Sequence, residues 1–260
     1  TLYKGHERQF YINMQQLLNY NRTFGLVHNV DILLGHETYS RNTTSVAGYK
    51  TKLFSDTNLE LGGAVIDGQQ ASSSLSQYNN EGYFIRAQYD YASRVFVSGS
   101  FRRDASSRFH KDHRWGNFWS AGAGWLINNE PWFSATWVDM LKLKASIGSQ
   151  GNDGIPDYLY TDTYEISNNE GDVAVAFRSK GNPDITWETN LNFNAGVDVE
   201  LFGGRLAGSV EYFYRKTSDM LFFFNVPLSL GYSGYYDNIG DMRNSGVEVS
   251  LTAIPVNTRD

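Results

Sequence analysis

With 260 residues, a formal net charge of −6 and 22 basic side chains scattered along the chain, the sequence presents no basic face on which nucleic-acid phosphates would release counterions. Cysteine is absent, which removes disulfide frameworks, thiolate metal sites and cysteine nucleophiles together. No run approaches the roughly 18 apolar residues of a transmembrane helix, whereas 17 Tyr, 16 Phe, 6 Trp and 25 Gly beside only 5 Pro suit strands joined by many turns. Thr1 to Phe10 lack the basic and apolar regions of a secretory signal, so a mature chain or an internal piece of a longer one is expected.

In chain order, the first expected hairpin runs from Phe10 to His36. Phe10, Ile12, Met14, Leu18 and Tyr20 share a face, the turn falls around Asn21 to Gly25, and Leu26, Val30, Ile32 and Leu34 continue that face. Asn13, Gln15, Asn19, Asn29 and Asp31 oppose it. A long loop is expected from about 37 to 79. A second hairpin pairs Glu81 to Tyr91 with Arg94 to Asp104 across Ala92 and Ser93, with Tyr83, Ile85, Ala87, Tyr89 and Tyr91 opposite Arg86, Gln88 and Asp90. Trp115 to Ile127 alternates Trp and Ala with Gly and Ser, and Leu141 to Gly148 sets Leu141, Leu143, Ala145 and Ile147 against Lys142, Lys144 and Ser146. Between them, Asn128 to Lys142 is too apolar for a plain turn. It is expected to be a brief interfacial helix carrying Trp132, Phe133 and Trp137, or a segment packed under the sheet.

The clearest strand is Trp187 to Leu201. Trp187, Thr189, Leu191, Phe193, Ala195, Val197, Val199 and Leu201 line one face, and Glu188, Asn190, Asn192, Asn194, Gly196, Asp198 and Glu200 the other. The turn Phe202 to Arg205 leads into a partner strand with Leu206, Val210, Tyr212 and Tyr214 on one face, and Asn244 to Ala253 supplies a last strand. About nine strands result. Short joins near 20 to 24, 92 to 93, 128 to 140 and 202 to 205 alternate with loops at about 37 to 79, 104 to 114, 150 to 186 and 217 to 243 that are mostly long.

A soluble antiparallel sheet with one wet face would alternate in the same way. Three features favour a bilayer. The arms of the Trp187 hairpin are longer than the roughly 5 to 6 residues of soluble strands and match the 9 to 11 of tilted transmembrane ones. Short turns lie at one end and long loops at the other, as in outer-membrane barrels. Aromatics such as Tyr20, Phe24, Trp115, Trp125, Trp187, Phe202, Tyr212 and Tyr214 fall near strand ends, where bilayer interfaces would lie, although ordinary core packing is the alternative. The expected fold is therefore all-β, an antiparallel transmembrane β-barrel segment with short periplasmic turns and long extracellular loops. A soluble or surface-attached β-sandwich carbohydrate-binding module is the competing reading, and an outer-membrane enzyme on a barrel scaffold a third.

No grouping of residues reads as catalytic, cofactor-binding or metal-binding. His110 and His113 with Asp112 form the only close histidine pair and read as a solvated loop, lacking further ligands at fixed spacing. Asp56, Asn58 and Glu60 lack the turn glycine and terminal glutamate of a calcium loop. Glu188, Asp198 and Glu200 share a strand face with three asparagines, which suits a wet lumen better than a carboxylate hydrolase. The sequence Gly151 to Gly154 is a turn rather than a phosphate loop, and Arg102, Asp104 and Arg108 read as a salt-bridged barrel rim.

Specific strings then add a family. Phe101 to Glu130 resembles the R-x-D-G-S-S-[RK]-F … R-W-G-x-F-P-S … G-W signature of SusC/RagA-type TonB-linked outer-membrane proteins. Arg102, Asp104, Ser106, Ser107, Arg108 and Phe109 match its first part, and Arg114, Trp115, Gly116, Phe118, Ser120, Gly124 and Trp125 its second, with Ala105 and Trp119 as departures. Leu141 to Asn152 resembles L-K-L-R-x-S-Y-G-x-T-G-N, with Ile147 and Gln150 departing. Asn182, Pro183, Asp184, Trp187 and Glu188 are close to N-P-D-L-x-W-E, and Tyr212 to Thr217 and Asn238 to Glu248 resemble late-barrel strings.

The resemblance implies a barrel of about 22 strands with a plugged lumen, of which residues 1 to 260 would be part of the wall, the plug domain and TonB box not being present. It also implies an importer of nutrients such as oligosaccharides or peptides in a bacterial outer membrane. Its expected partners are a SusD-like surface lipoprotein, a TonB complex acting through the plug region, and outer-membrane lipid; no nucleic acid and no cofactor are expected. Within that reading, Tyr232, Tyr235 and Tyr236 of the GYSGYY loop are candidate stacking contacts for substrate.

Overall fold

A computed structural model describes residues 1–255, apart from the side chains of 65–70. Thirteen strands form: β1 (Leu2–Phe24), β2 (His28–Leu53), β3 (Ala64–Tyr91), β4 (Val95–Ser106), β5 (Trp115–Leu126), β6 (Val138–Asn152), β7 (Thr163–Asn169), β8 (Asp172–Ser179), β9 (Glu188–Leu201), β10 (Leu206–Ser218), β11 (Leu221–Asn225), β12 (Gly234–Asn238) and β13 (Met242–Ala253). Nine make one antiparallel sheet in the order β1-β2-β3-β4-β5-β6-β9-β10-β13, and β7-β8 and β11-β12 are separate hairpins inside two of the connections. The nine expected strands are these nine. Among the described residues β1 and β13 each pair on one side only.

The ladder carries the alternation without a break from strand to strand. Leu18 stands opposite Leu34, Leu34 opposite Ile85, Ile85 opposite Phe101 and Phe101 opposite Trp119, so these five lie on one face. The same bookkeeping puts Leu143, Val197, Val210 and Val249 on that face and Lys144, Asn194, Glu211 and Asp198 on the other. The inner face is wet and charged: Lys144 bridges Asp198 at 3.0 Å and Glu211 at 3.1 Å, joining three strands.

Among the described residues, nothing covers the apolar face. Leu18 is 66%, Val249 71% and Leu251 72% exposed, so the β-sandwich reading is overturned: all the long strands belong to one layer, and among the described residues no second sheet covers their apolar side. Rings mark the limits of this face, with Tyr83 and Trp115 at one level and Phe24, Tyr91 and Trp125 at the other. From Tyr83 to Tyr91 the strand rises about 27 Å, or roughly 20 Å once tilted, close to the apolar band of about 25 Å on outer-membrane barrels.

Three expectations need correction. The loop at 37 to 79 is mostly strand, since β2 runs to Leu53, β3 starts at Ala64, and the pair continues past the aromatic level as a polar ribbon. Both faces of that ribbon are wet, so Ser, Thr, Asn and Gln occupy them and no apolar period marks the strand. The first turn lies at 25 to 27 rather than 21 to 25, with Phe24 opposite His28 and Leu26 at its tip. Asn128 to Lys142 forms no α-helix: only a single 3-10 turn, Ile127–Asn129, precedes β6. Pro131 lacks an N–H, and Asn128 ties the segment down by accepting from the Leu141 N–H at 3.1 Å. Its rings pack on neighbouring rings, Trp137 stacking on Phe202 at 5.8 Å and Trp132 meeting Trp125 at 6.4 Å. At the neighbouring turn, Gly203 and Gly204 take φ of 68° and 76°, and both N–H groups donate to Asp139.

The face assignment has a direct consequence in the intact protein. Val197→Arg should impair assembly by roughly 2–4 kcal/mol, while Asn194→Arg on the wet face is tolerated. Heat-modifiable electrophoretic mobility of the two variants checks this, and equal effects would contradict it.

Candidate functional site at the loop end

Among the described residues the buried apolar cluster lies not in the wall but at its long-loop end. Phe109, Phe118, Ile155, Ile185 and Trp187 form it, with Leu159, Tyr160, Leu221 and Tyr236 packed around. These residues come from the β4–β5, β6–β9 and β10–β13 connections and from β5, so the cluster ties three loops to one place. Phe118 points inward from β5 and covers Gly116 and Gly151, where any side chain would collide with its ring. Trp187 meets Phe109 at 5.2 Å and Phe118 at 5.3 Å, and its Nε1–H donates to the Arg114 carbonyl at 2.9 Å.

Polar tethers surround the cluster. The Asp153 carboxylate accepts from the fully buried Ser106 hydroxyl at 2.7 Å and from the Tyr78 hydroxyl at 2.8 Å. Arg108 donates to the Asp153 carbonyl at 2.7 Å and to Asp157 at 3.1 Å, and its guanidinium lies 4.6 Å from the Tyr78 ring. Ser76 donates to the other oxygen of Asp157 at 2.7 Å, while Ser107 accepts from the Asn79 N–H at 2.9 Å. The β6–β9 loop is thereby held to β3 and to the β4–β5 connection. Burial, then the hydrogen bond to Asp153, pushes the Tyr78 hydroxyl up to about 12.

The second set of tethers runs through the Asn182 string. Asn182 donates to the Tyr236 carbonyl at 3.1 Å and to Asp237 at 2.9 Å, Asp184 faces His113 at 3.5 Å, and Glu188 accepts from Asn152 at 3.1 Å and the Leu221 N–H at 3.2 Å. Pro183 sits between Asn182 and Asp184 in this turn. Asn238, which opens the last of the late-barrel strings, accepts from the Thr186 N–H at 2.8 Å and donates to the carbonyls of Thr186 and Asp219.

The rim cluster divides. Arg102 pairs with Asp104 at 2.7 Å and Glu37 at 3.2 Å on the inner wall, whereas Arg108 belongs to the loop tethers. Trp115 stands apart on the outer face. His110 pairs with Asp112 and His113 with Asp184, so the two imidazoles turn to different carboxylates. Glu60 pairs with Lys4, and the Asn58 side chain accepts from the Glu60 N–H, so Asp56, Asn58 and Glu60 do not converge. Glu188 and Asp198 sit at opposite ends of β9, about 33 Å apart along the strand, too far for paired acid and base.

The three tyrosines lie in or beside the β11–β12 hairpin on different faces. Tyr236 packs on Phe223 at 5.1 Å and into the buried cluster, Tyr235 stacks on Phe224 at 6.0 Å on the opposite face, and Tyr232 meets Phe177 of β8 at 5.8 Å.

Two outcomes are expected for the intact protein. Trp187→Ala removes the centre of the cluster at a cost of about 3–5 kcal/mol; limited proteolysis should then cut within 153–187 and 219–241 while the wall stays heat-resistant. Because Tyr78 titrates higher folded than unfolded, its tether is fully present below about pH 10 and is lost as pH rises through about 12. Alkaline proteolysis of the 153–187 loop should show that rise, and Tyr78→Phe should remove it.

The chain matches the family described as TonB dependent receptor-like, beta-barrel over residues 2–254. It is 32% identical over 264 aligned residues to TonB-dependent receptor P39 of Formosa agariphila, covering 93% of this chain and 24% of that protein. It is 34% identical over 188 residues to TonB-dependent receptor SusC of Bacteroides thetaiotaomicron, covering 68% of this chain and 19% of that one. Among solved structures, the RagAB peptide importer in the closed-closed state superposes with a TM-score of 0.92 at 26% identity, over 99% of this chain and 29% of that one. The chain thus spans about a quarter of the relatives it matches. With an unbroken nine-stranded wall, a bare apolar outer face and a looped rim, it belongs to the TonB-dependent receptor-like β-barrel family of the outer membrane, in its SusC and RagA group.

Proposed function

We propose that this chain forms part of the wall of an energised importer that takes up nutrients, oligosaccharides or peptides, together with a SusD-like surface lipoprotein and a TonB complex. The observation that carries this reading is the division of labour in the fold. A charged inner wall faces the lumen, and the three tethered loops gather over its outer end, where an incoming solute would first meet the protein. The likeness to a relative described as a peptide importer supports peptides, and the likeness to SusC supports a partnered receptor of the same type.

Of the three tyrosines, Tyr235 fits a contact with substrate best. It shares a face of the β11–β12 hairpin with Phe222 and Phe224, and Phe222 is 58% exposed. Tyr236 is committed to the buried cluster and Tyr232 to Phe177, so their part is to hold that hairpin.

The test is uptake of labelled oligosaccharides and oligopeptides by cells carrying the intact protein, with and without TonB. Uptake that requires TonB is the expected result; uptake that persists without it would contradict the proposal. Tyr235→Ala should weaken binding of the imported class by roughly 0.5–1.5 kcal/mol, with assembly unchanged. Isothermal titration of the intact protein measures this.

A further inference from the structure

The outer face between β1 and β4 is not uniformly apolar. At the level of the outer aromatic ring, Gln16, His36, Tyr83 and Arg103 stand directly opposite one another on successive strands. Just below them runs Leu18, Leu34, Ile85 and Phe101. Between the two rows the side chains part to leave a groove of about 630 Å³, apolar along its floor and with Arg103 at its lip.

The lip is organised. His36 meets Gln16 at 2.8 Å and Glu81 at 3.2 Å, stacks on Tyr83 at 4.5 Å, and Tyr83 donates to the same Glu81 at 2.6 Å. Glu81 is therefore already engaged by two neighbours. Arg103 is not: its guanidinium rests 5.1 Å from the Trp115 ring, and among the described residues it forms no ion pair, in contrast to Arg102 on the other face with two carboxylates.

An exposed, unpaired guanidinium at the boundary between hydrocarbon and headgroups needs an anion there, because the layer beneath it cannot solvate charge. Its planar fork matches phosphate oxygens two at a time. The groove below needs apolar filling, which only a chain entering from the bilayer can supply on this side of the wall. We propose that this surface binds an anionic lipid of the outer leaflet whose phosphate carries no compensating ammonium, that phosphate on Arg103 over Trp115 and one acyl chain along Leu18, Leu34, Ile85 and Phe101. The family strings pass over Arg103 but include Trp115, whose ring lies on the outer face, away from the loop tethers.

The intact protein in bilayers, probed with spin-labelled phosphatidic acid and spin-labelled phosphatidylcholine, tests the proposal. The wild type should hold the phosphatidic label several-fold more than the choline label, and excess inorganic phosphate should not erase the difference. Arg103→Gln should bring the two labels to parity. Arg22→Gln, an outward cation beside the Phe24 ring at the opposite boundary, should leave the preference intact. A wild type without preference, an unchanged preference in Arg103→Gln, an equal loss in Arg22→Gln, or displacement by inorganic phosphate would each overturn it. The wild-type arm stands even where a variant assembles poorly.

Discussion

Inside hydrocarbon no water satisfies a backbone N–H or C=O, so a chain that crosses by strands must pair each one laterally with its neighbours. The register from β1 through β13 is the expression of that constraint. One sheet, rather than two stacked ones, follows, because the bilayer itself takes the place of the second layer. A slip of one residue anywhere along the ladder would turn Val197 or Leu34 toward water and Asn194 or Asp31 toward lipid, so the two solvents hold the register from both sides.

The same constraint explains why the buried cluster is displaced to one end. Within the band, each side chain already faces the solvent it suits. Beyond it both faces of the sheet are wet, the connections are long, and ordering them requires contacts of their own. Trp187, Phe109 and Phe118 provide the apolar part and Asp153, Arg108 and Asn182 the polar part. The strings that resemble SusC and RagA-type signatures fall mostly on tethers: they hold three loops in a fixed arrangement at the long-loop end and leave the hairpin face with Phe222 exposed.

The membrane-level strands were legible because each residue there has one apolar and one aqueous neighbour, and a period of two survives in the sequence. Glu188 to Leu201 shows it plainly. Where that contrast ends the signal ends: the upper halves of β2 and β3 carry Thr, Ser and Asn on both faces and read as loop. The β7–β8 hairpin was missed for its shortness, although Tyr164, Ile166, Val173, Val175 and Phe177 alternate around Gly171 and would have marked it. The signature residues could be found by their order in the chain, but their partners could not. Tyr78, Asp153 and Ile155 lie in no string, and Ile185 stands within the Asn182 string only as its apolar position; the folding of distant loops onto β5 brings them together. The separation of Arg102 from Arg108 likewise depends on the chain leaving the sheet after Ser106.

The central claim is that alternate residues of one continuous sheet face lipid and water. Single cysteines from Leu191 to Val199 in the intact protein, spin-labelled in bilayers, measure it through collision with oxygen, which concentrates in hydrocarbon, and with a water-soluble nickel chelate. Oxygen access should peak at Leu191, Phe193, Ala195, Val197 and Val199 and nickel access at Asn192, Asn194, Gly196 and Asp198. A flat profile, or peaks on the opposite residues, would contradict the account.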